Sequence, residues 1–237
     1  MKEILGCIRR ADQDFGMIQA GDKVAVGVSG GKDSLLLLYA MALYRKFCPN
    51  PFELEALTLT MGLEPFDVSG IRALCDKLEV PYIVRETEIA KVIFEERKEK
   101  NPCSLCAKMR RGVLHSTAKE LGCNKIAFGH HFDDVVETFM LNLFHEGRIG
   151  CFQPVTYLSR ADITLIRPLL YMPEKDVRYF ASHESLPVVK SPCPADGHTE
   201  REEMKNLLNS LERQHKGLRH RIFGAICRGE VDGFKLF

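Results

Sequence analysis

Between Val24 and Leu38 the chain reads Val-Ala-Val-Gly-Val-Ser-Gly-Gly-Lys-Asp-Ser-Leu-Leu-Leu-Leu. A β-branched run that ends in small polar residues and opens at once onto an apolar helix leaves few folds available. The paired glycines, Gly30 and Gly31, let the backbone bend through conformations that a Cβ would resist, so several amide N–H groups can converge on one anion. The helix that starts near Lys32 or Asp33 adds the positive end of its dipole. Lys32 contributes a point charge, and Ser29 and Ser34 contribute hydroxyl donors. Together these are the parts of a polyphosphate cradle. The common P-loop pattern G-x-x-x-x-G-K-[ST] is absent, and an Asp follows the Lys.

The rest of the chain alternates around that unit. Residues 1–20 read as a short amphipathic helix carrying Ile4, Ile8 and Phe15. The helix after the cradle runs to about Phe47 and stops before Cys48-Pro49-Asn50-Pro51. Strands are expected over Glu53–Thr60 and Val80–Val84, separated by a helix over 67–79. A charged helix over Glu88–Lys100 is broken at Cys103-Ser104-Leu105-Cys106 and resumes over 107–112. A fourth strand over Lys125–Gly129 delivers Gly129-His130-His131-Phe132-Asp133-Asp134 and is followed by a helix from Val135 to about His145. A fifth strand covers Ile163–Arg167. Helices are then expected over 173–185 and from Thr199 to about His215. Strands alternating with helices require parallel crossovers, hence an α/β fold with a doubly wound, mostly parallel five-stranded sheet and flanking helices. Ligands of such sheets bind beyond the C-terminal ends of the strands, where Ser29–Ser34 falls.

Composition narrows the partners. With 237 residues and a net charge of +1, the chain has room for one sizeable core and is not a strongly basic nucleic-acid coat, although a local basic face stays open. No apolar run reaches the length of a bilayer span. Met1–Arg10 mixes acid and base without the apolar stretch of a signal peptide, so a cytoplasmic location is expected. An odd count of nine cysteines argues against a disulfide framework there and in favour of ligand roles.

Cys103 and Cys106 form a C-x-x-C at a helix entry, and Cys193 lies between Pro192 and Pro194. A C-x-x-C suits a dithiol redox pair, half of a zinc site or cluster ligation. A zinc site needs a fourth ligand, and no second C-x-x-C or H-x-x-x-H accompanies this one. Three cysteines suit a [4Fe–4S] cluster with one iron left open, while zinc on Cys103 and Cys106 remains the alternative. Asp133 and Asp134, at the edge of a strand, suit Mg²⁺ and phosphate binding or the capping of the next helix. One of His130 and His131 either faces the nucleotide or is a satisfied core residue. Lys108, Arg110 and Arg111 form one basic stretch, suited to RNA phosphates or to a solvated helix face. Arg213, Lys216, Arg219, His220 and Arg221 form another, with a docking or dimer surface as its candidate role.

Ser-Gly-Gly-Lys-Asp-Ser resembles the PP-loop of the ATP pyrophosphatases, which split ATP between the α and β phosphates to adenylate a substrate. The ordered series of that loop, Cys-Ser-Leu-Cys-Ala-Lys-Met-Arg-Arg-Gly, Gly-His-His-Phe-Asp-Asp-Val-Val-Glu-Thr, Ile-Arg-Pro-Leu and Pro-Cys-Pro is similar to the tRNA 2-thiocytidine synthetase family over roughly residues 20–225. The related 2-thiouridine synthetases carry zinc-finger cysteine pairs at both ends, which this sequence lacks. Typical longer relatives carry terminal extensions, and some have a further Cys just after the third ligand, where this chain has Ala195 and Asp196.

The resemblance implies a Rossmann-like, adenine nucleotide alpha hydrolase-like domain over residues 1–237 with short helical appendages at both ends. It implies ATP, Mg²⁺ and a [4Fe–4S] cluster as cofactors. It also implies Cys103, Cys106 and Cys193 as cluster ligands, with Ser29, Gly30, Gly31, Lys32, Asp33 and Ser34, joined by Gly129, Asp133 and Asp134, at the nucleotide. Lys32, Asp33 and the three cysteines carry the chemistry: adenylation, then thiolation, of C2 of a tRNA cytidine. Implied partners are tRNA, ATP and a sulfur donor system such as a cysteine desulfurase, with a homodimer allowed and no membrane. The alternatives are a PP-loop enzyme that thiolates another substrate, such as a tRNA uridine, and a non-catalytic sensor binding nucleotide and cluster.

Overall fold

The structure, a computed structural model, describes residues 1–62, 66–97, 102–189 and 200–236. Its centre is one sheet in the order β3-β2-β1-β4-β6-β5. The strands are β1 (Lys23–Gly27), β2 (Glu53–Leu59), β3 (Tyr82–Arg85), β4 (Lys125–Ala127), β5 (Val155–Leu158) and β6 (Ile163–Ile166). All neighbours pair in parallel except β5 with β6.

Six strands therefore replace the five expected. The strand absent from the sequence reading is β5, whose four residues form one antiparallel ladder at the edge, with Tyr157 62% exposed. So short and half-exposed a run has no buried face to impose an apolar alternation.

Burial alternates along β1 as the pleat demands. Val24 and Val26 join the larger core, whereas Ala25 points to the opposite face. The larger core is covered by α1 (Lys2–Phe15), α2 (Lys32–Tyr44), α3 (Ser69–Leu78) and α7 (Glu174–His183). The other face is closed by α5 (Pro102–Glu120), through Leu114 and Ala118. A third small core joins α6 (Phe132–His145) to α8 (Glu200–Gln214) through Phe132, Val136, Met204 and Leu208, with Ile222 and Phe223 of α9 (Leu218–Arg228) packed against it.

Three helices near the site differ from expectation, and α9 has no counterpart in the sequence reading. The segment expected as one helix over 88–100 is α4 (Ile89–Lys91) followed by a wider π turn, Val92–Glu96. Helix α5 is not broken at the C-x-x-C: Pro102 occupies its first position, where a missing N–H costs nothing, and Cys103 and Cys106 fall within its first turns. Helix α6 begins at Phe132, three residues early, because Asp134 reaches back to accept the His131 backbone N–H at 2.8 Å.

The chain leaves β1 for β2 and β3 on one side and returns for β4 on the other. The C-terminal ends of β1 and β4 thus flank the point where strand order reverses, the usual ligand crevice of such sheets. Among the described residues, no helix is long and apolar enough to cross a membrane.

Candidate active site

The loop after β1 is braced from within. Ser34 Oγ accepts the Ser29 backbone N–H at 3.1 Å and donates to the Gly31 carbonyl at 3.0 Å, while the Ser29 and Ser34 hydroxyls meet at 3.1 Å. Gly30 has φ +82°, and a Cβ there would lie 2.7 Å from the Phe66 ring. Its carbonyl accepts the Val189 N–H at 2.9 Å. Gly129 is equally constrained: a Cβ would stand 2.9 Å from the carbonyl carbon and oxygen of Asp33, so the end of β4 can touch the first turn of α2 only as glycine.

A cavity of about 580 Å³ opens there, large enough for a nucleotide-sized ligand. Ser29, Asp33 and Ser34 form one wall, with Leu57 and Leu59 of β2 beside them. Phe128, Gly129, His130 and Asp134 follow β4. Arg167, just after β6, and Phe152 extend that side, and α5 contributes Ala107, Arg110, Arg111 and Leu114.

The ammonium of Lys32 stands 3.0 Å from Asp33 Oδ1 and 3.2 Å from Glu174 Oε1. Burial disfavours its charge, but Asp33 and Glu174 outweigh that and hold its pKa above the ordinary lysine value. Glu174 is also bound by Lys205 at 2.9 Å and Arg178 at 3.2 Å. Burial raises the Glu174 pKa, yet its bonds to Lys205 and Lys32 dominate and bring it down to about 2.

The two aspartates after β4 separate. Asp134 caps α6, lines the cavity and meets Arg201 at 2.9 Å. Asp133 is absent from the cavity wall; it accepts the Glu174 backbone N–H at 2.7 Å and pairs with Arg219 at 3.2 Å. Arg219 stands 3.6 Å from Glu137, a carboxyl pushed up to about 7 by burial and, next, by the charge of Asp134. Of the second basic run, Arg219 is therefore withdrawn into the fold, whereas Arg213, Lys216, His220 and Arg221 stay exposed. Arg219 is buried, His220 packs on the Phe132 ring at 4.8 Å, and Arg221 donates to the carbonyls of Lys216 and His215.

His131 is the buried N-cap of α6, whereas His130 faces the cavity. Burial pulls the His130 pKa down to about 4, so the imidazole is neutral at neutral pH. Its ring lies 4.9 Å from Phe152, and Nδ1 is buried without a hydrogen-bond partner. Arg110 and Arg111 reach the cavity, whereas Lys108 is exposed and does not.

Cys106 is half-buried, one helical turn after Cys103, a spacing that puts both positions on one face of α5. Cys193 and the side chain of Cys103 lie outside the described residues. Two thiol positions on the helix that walls the cavity are a soft donor set, which suits iron–sulfur ligation. For Mg²⁺, the hard oxygen donors on the cavity wall are Asp33 and Asp134.

The sequence reading assigned no role to Phe152, Arg167, Glu174, Arg201 or Lys205. Each comes from an element remote from the loop, and only Ile-Arg-Pro-Leu carried a signal.

Loop, switch point and cavity define a PP-loop nucleotide-binding protein. A family model described as "PP-loop domain" matches residues 7–212. The tRNA-cytidine(32) 2-sulfurtransferase of Geobacter sulfurreducens is 37% identical over 95% of this chain and 89% of that relative. The enzyme of the same name from Idiomarina loihiensis is 37% identical over 92% of this chain and 73% of its own. Among solved structures, the U34-tRNA thiolase NcsA from Methanococcus maripaludis, with its [4Fe–4S] cluster, superposes with a TM-score of 0.76 at 30% identity, over 93% of this chain and 75% of that one. The chain belongs to the tRNA-cytidine(32) 2-sulfurtransferase family.

Proposed function

We propose that the protein is an ATP-dependent tRNA sulfurtransferase that adenylates and then thiolates C2 of a cytidine. The observation that carries this reading is a shared cavity: the PP-loop forms one wall, and α5, which begins with the C-x-x-C, forms another. Ala107, next to Cys106, lines that cavity, which supports a reading in which nucleotide and thiol chemistry address one space.

Loop amides, Lys32 and the positive end of α2 stabilise the charge that grows on pyrophosphate. The C2 oxygen of the base attacks the α-phosphorus, the bond to the β-phosphate breaks, and pyrophosphate leaves. A sulfur nucleophile then attacks C2, and the C2–O bond breaks with AMP as leaving group. The base must be turned out of its stack to present that atom. Asp33 and Asp134 are the residues that would hold Mg²⁺, which neutralises phosphate charge when bound. Cys103, Cys106 and Cys193 would hold the cluster, which offers sulfur chemistry at an iron without a protein ligand. Arg110 and Arg111 bring positive charge to the RNA side of the cavity.

We assign the whole chain to one domain and place the reaction in the cytoplasm, with sulfur arriving from a cysteine desulfurase-type donor; a homodimer is compatible with this reading. The similarity to a U34-tRNA thiolase at 30% identity supports a second reading, with uridine as the target. Nucleoside analysis of tRNA from cells lacking the gene separates the two. Loss of 2-thiocytidine is expected, and loss of 2-thiouridine with 2-thiocytidine intact would select the uridine reading.

A further inference from the structure

Arg167 is 7% exposed, yet it pairs with no carboxylate among the described residues. Its NH1 donates to the Gln153 carbonyl and, at 3.2 Å, to the Thr156 hydroxyl. The Phe152 ring lies 4.9 Å from the guanidinium carbon, and Nε is buried without a hydrogen-bond partner. The guanidinium is thus fixed on two sides by neutral groups and sits on the cavity wall with its charge uncompensated. Arg178, Arg201 and Arg219 each meet a carboxylate, and Arg110 and Arg111, which share the cavity wall, are exposed to solvent, so Arg167 is the buried arginine of that wall without a counter-ion. A buried charge without a counter-ion is costly, and a fold keeps one where a ligand supplies the opposite charge. Burial also draws the Arg167 pKa down to about 10, the direction expected of a cation with no partner.

We infer that Arg167 is a second phosphoryl-binding residue of this cavity, two strands away from the PP-loop, held ready by Phe152, Gln153 and Thr156. The planar fork of a guanidinium matches two oxygens of one phosphoryl group. The neighbouring His130, neutral because buried, offers a hydrogen bond without adding charge. Two sources present this chemistry: the α-phosphoryl group of the nucleotide and the backbone phosphate of the RNA nucleotide being modified. The inference rests on the reading of the cavity as the nucleotide and RNA site.

The test uses full-length protein purified without air and two probes: α,β-methylene ATP, which cannot be split at the reactive bond, and a short anticodon-loop RNA hairpin. Arg167→Met should melt no lower than the parent, because it removes an unpaired buried charge. Its affinity for one probe should fall roughly tenfold to a hundredfold, the range of a charge-assisted hydrogen-bond pair. Loss confined to the methylene analogue assigns the α-phosphoryl group, and loss confined to the hairpin assigns the RNA phosphate; either supports the inference. Arg167→Lys, which keeps the charge without the fork, should fall between. Unchanged affinity for both probes overturns the inference. So does a variant that melts well below the parent and binds neither probe, since Arg167 would then be structural. Lys32→Ala separates this from the underlying reading. If it loses the analogue while Arg167→Met keeps both probes, only the present inference fails. If Lys32→Ala binds the analogue like the parent, the nucleotide reading itself fails.

Discussion

Two groups of charge flank the PP-loop, and they are built on opposite plans. On the side of α6 to α9 the cations nearest the loop each have a carboxylate: Lys32 and Lys205 meet Glu174, Arg201 meets Asp134, and Arg219 meets Asp133. These pairs tie the starts of α6 and α7 to the C-terminal helices, so they fix where the loop's lysine points. On the side of β4, β6 and α5 the cavity presents Arg110, Arg111 and Arg167 beside the neutral His130 and the ring of Phe152. The acids on the cavity wall, Asp33 and Asp134, both lie on the first side and are both already engaged. Balanced charge serves as scaffold; unbalanced charge is kept for an anion that arrives from outside.

The largest effect should come from the loop's own cation, Lys32, on the paired side. Lys32→Ala should lower tRNA-dependent pyrophosphate release by at least about 100-fold, the scale of losing one preorganised donor to a developing anion. Circular dichroism should show the fold retained; pyrophosphate release at the parent's rate would remove the loop from the chemistry.

Next come the thiols. Cys103→Ala, Cys106→Ala and Cys193→Ala should each abolish thiolation, and the parent purified without air should carry about four irons per chain. Cys7→Ala, Cys48→Ala and Cys227→Ala should keep both iron and activity, because Cys227 is buried in a core while Cys7 and Cys48 are partly buried against one. A Cys193→Ala protein with full iron and full thiolation would defeat the three-ligand assignment.

The scaffold side can be broken through Arg219. Arg219→Met leaves Asp133 and Glu137 facing each other near the start of α6 without their cation, and should cost about 3 kcal/mol of stability in denaturant unfolding. A cost below about 1 kcal/mol would show that these pairs do not hold the helices.

The smallest expected effect is on pH dependence. Burial holds the Glu137 carboxyl at about 7 in the fold, well above the ordinary glutamate range. The unfolded chain therefore releases this proton first. The protonated form favours folding, and the contribution fades as pH rises through about 7. Glu137→Gln should flatten the loss of stability between about pH 5 and pH 8, and an unchanged profile would move that titration to another group.

The legible part of this molecule was whatever one continuous segment encodes. Val24–Leu38 carries strand, loop and helix start together, so cradle and switch point could be read without a structure. Asp134 could be placed at a strand's edge, with capping and ligand binding left as alternatives; in the fold it does the first and stands where it can do the second. Arg219 looked like part of a basic surface because its partners, Asp133 and Glu137, come from a helix far earlier in the chain. Glu174 gave no sign of its role, since nothing local says that Lys32 and Lys205 converge on it. Strand β5 escaped notice because an edge strand with one neighbour need not alternate.

The central claim is that one cavity couples ATP cleavage to sulfur insertion in tRNA. It is tested most directly by incubating anaerobically purified protein with ATP, Mg²⁺, a sulfide source and unmodified tRNA, and counting products. The account predicts AMP, pyrophosphate and 2-thiocytidine in equal amounts, and none of the three without tRNA. Pyrophosphate released at the same rate with and without tRNA, with no sulfur in the RNA, would contradict it.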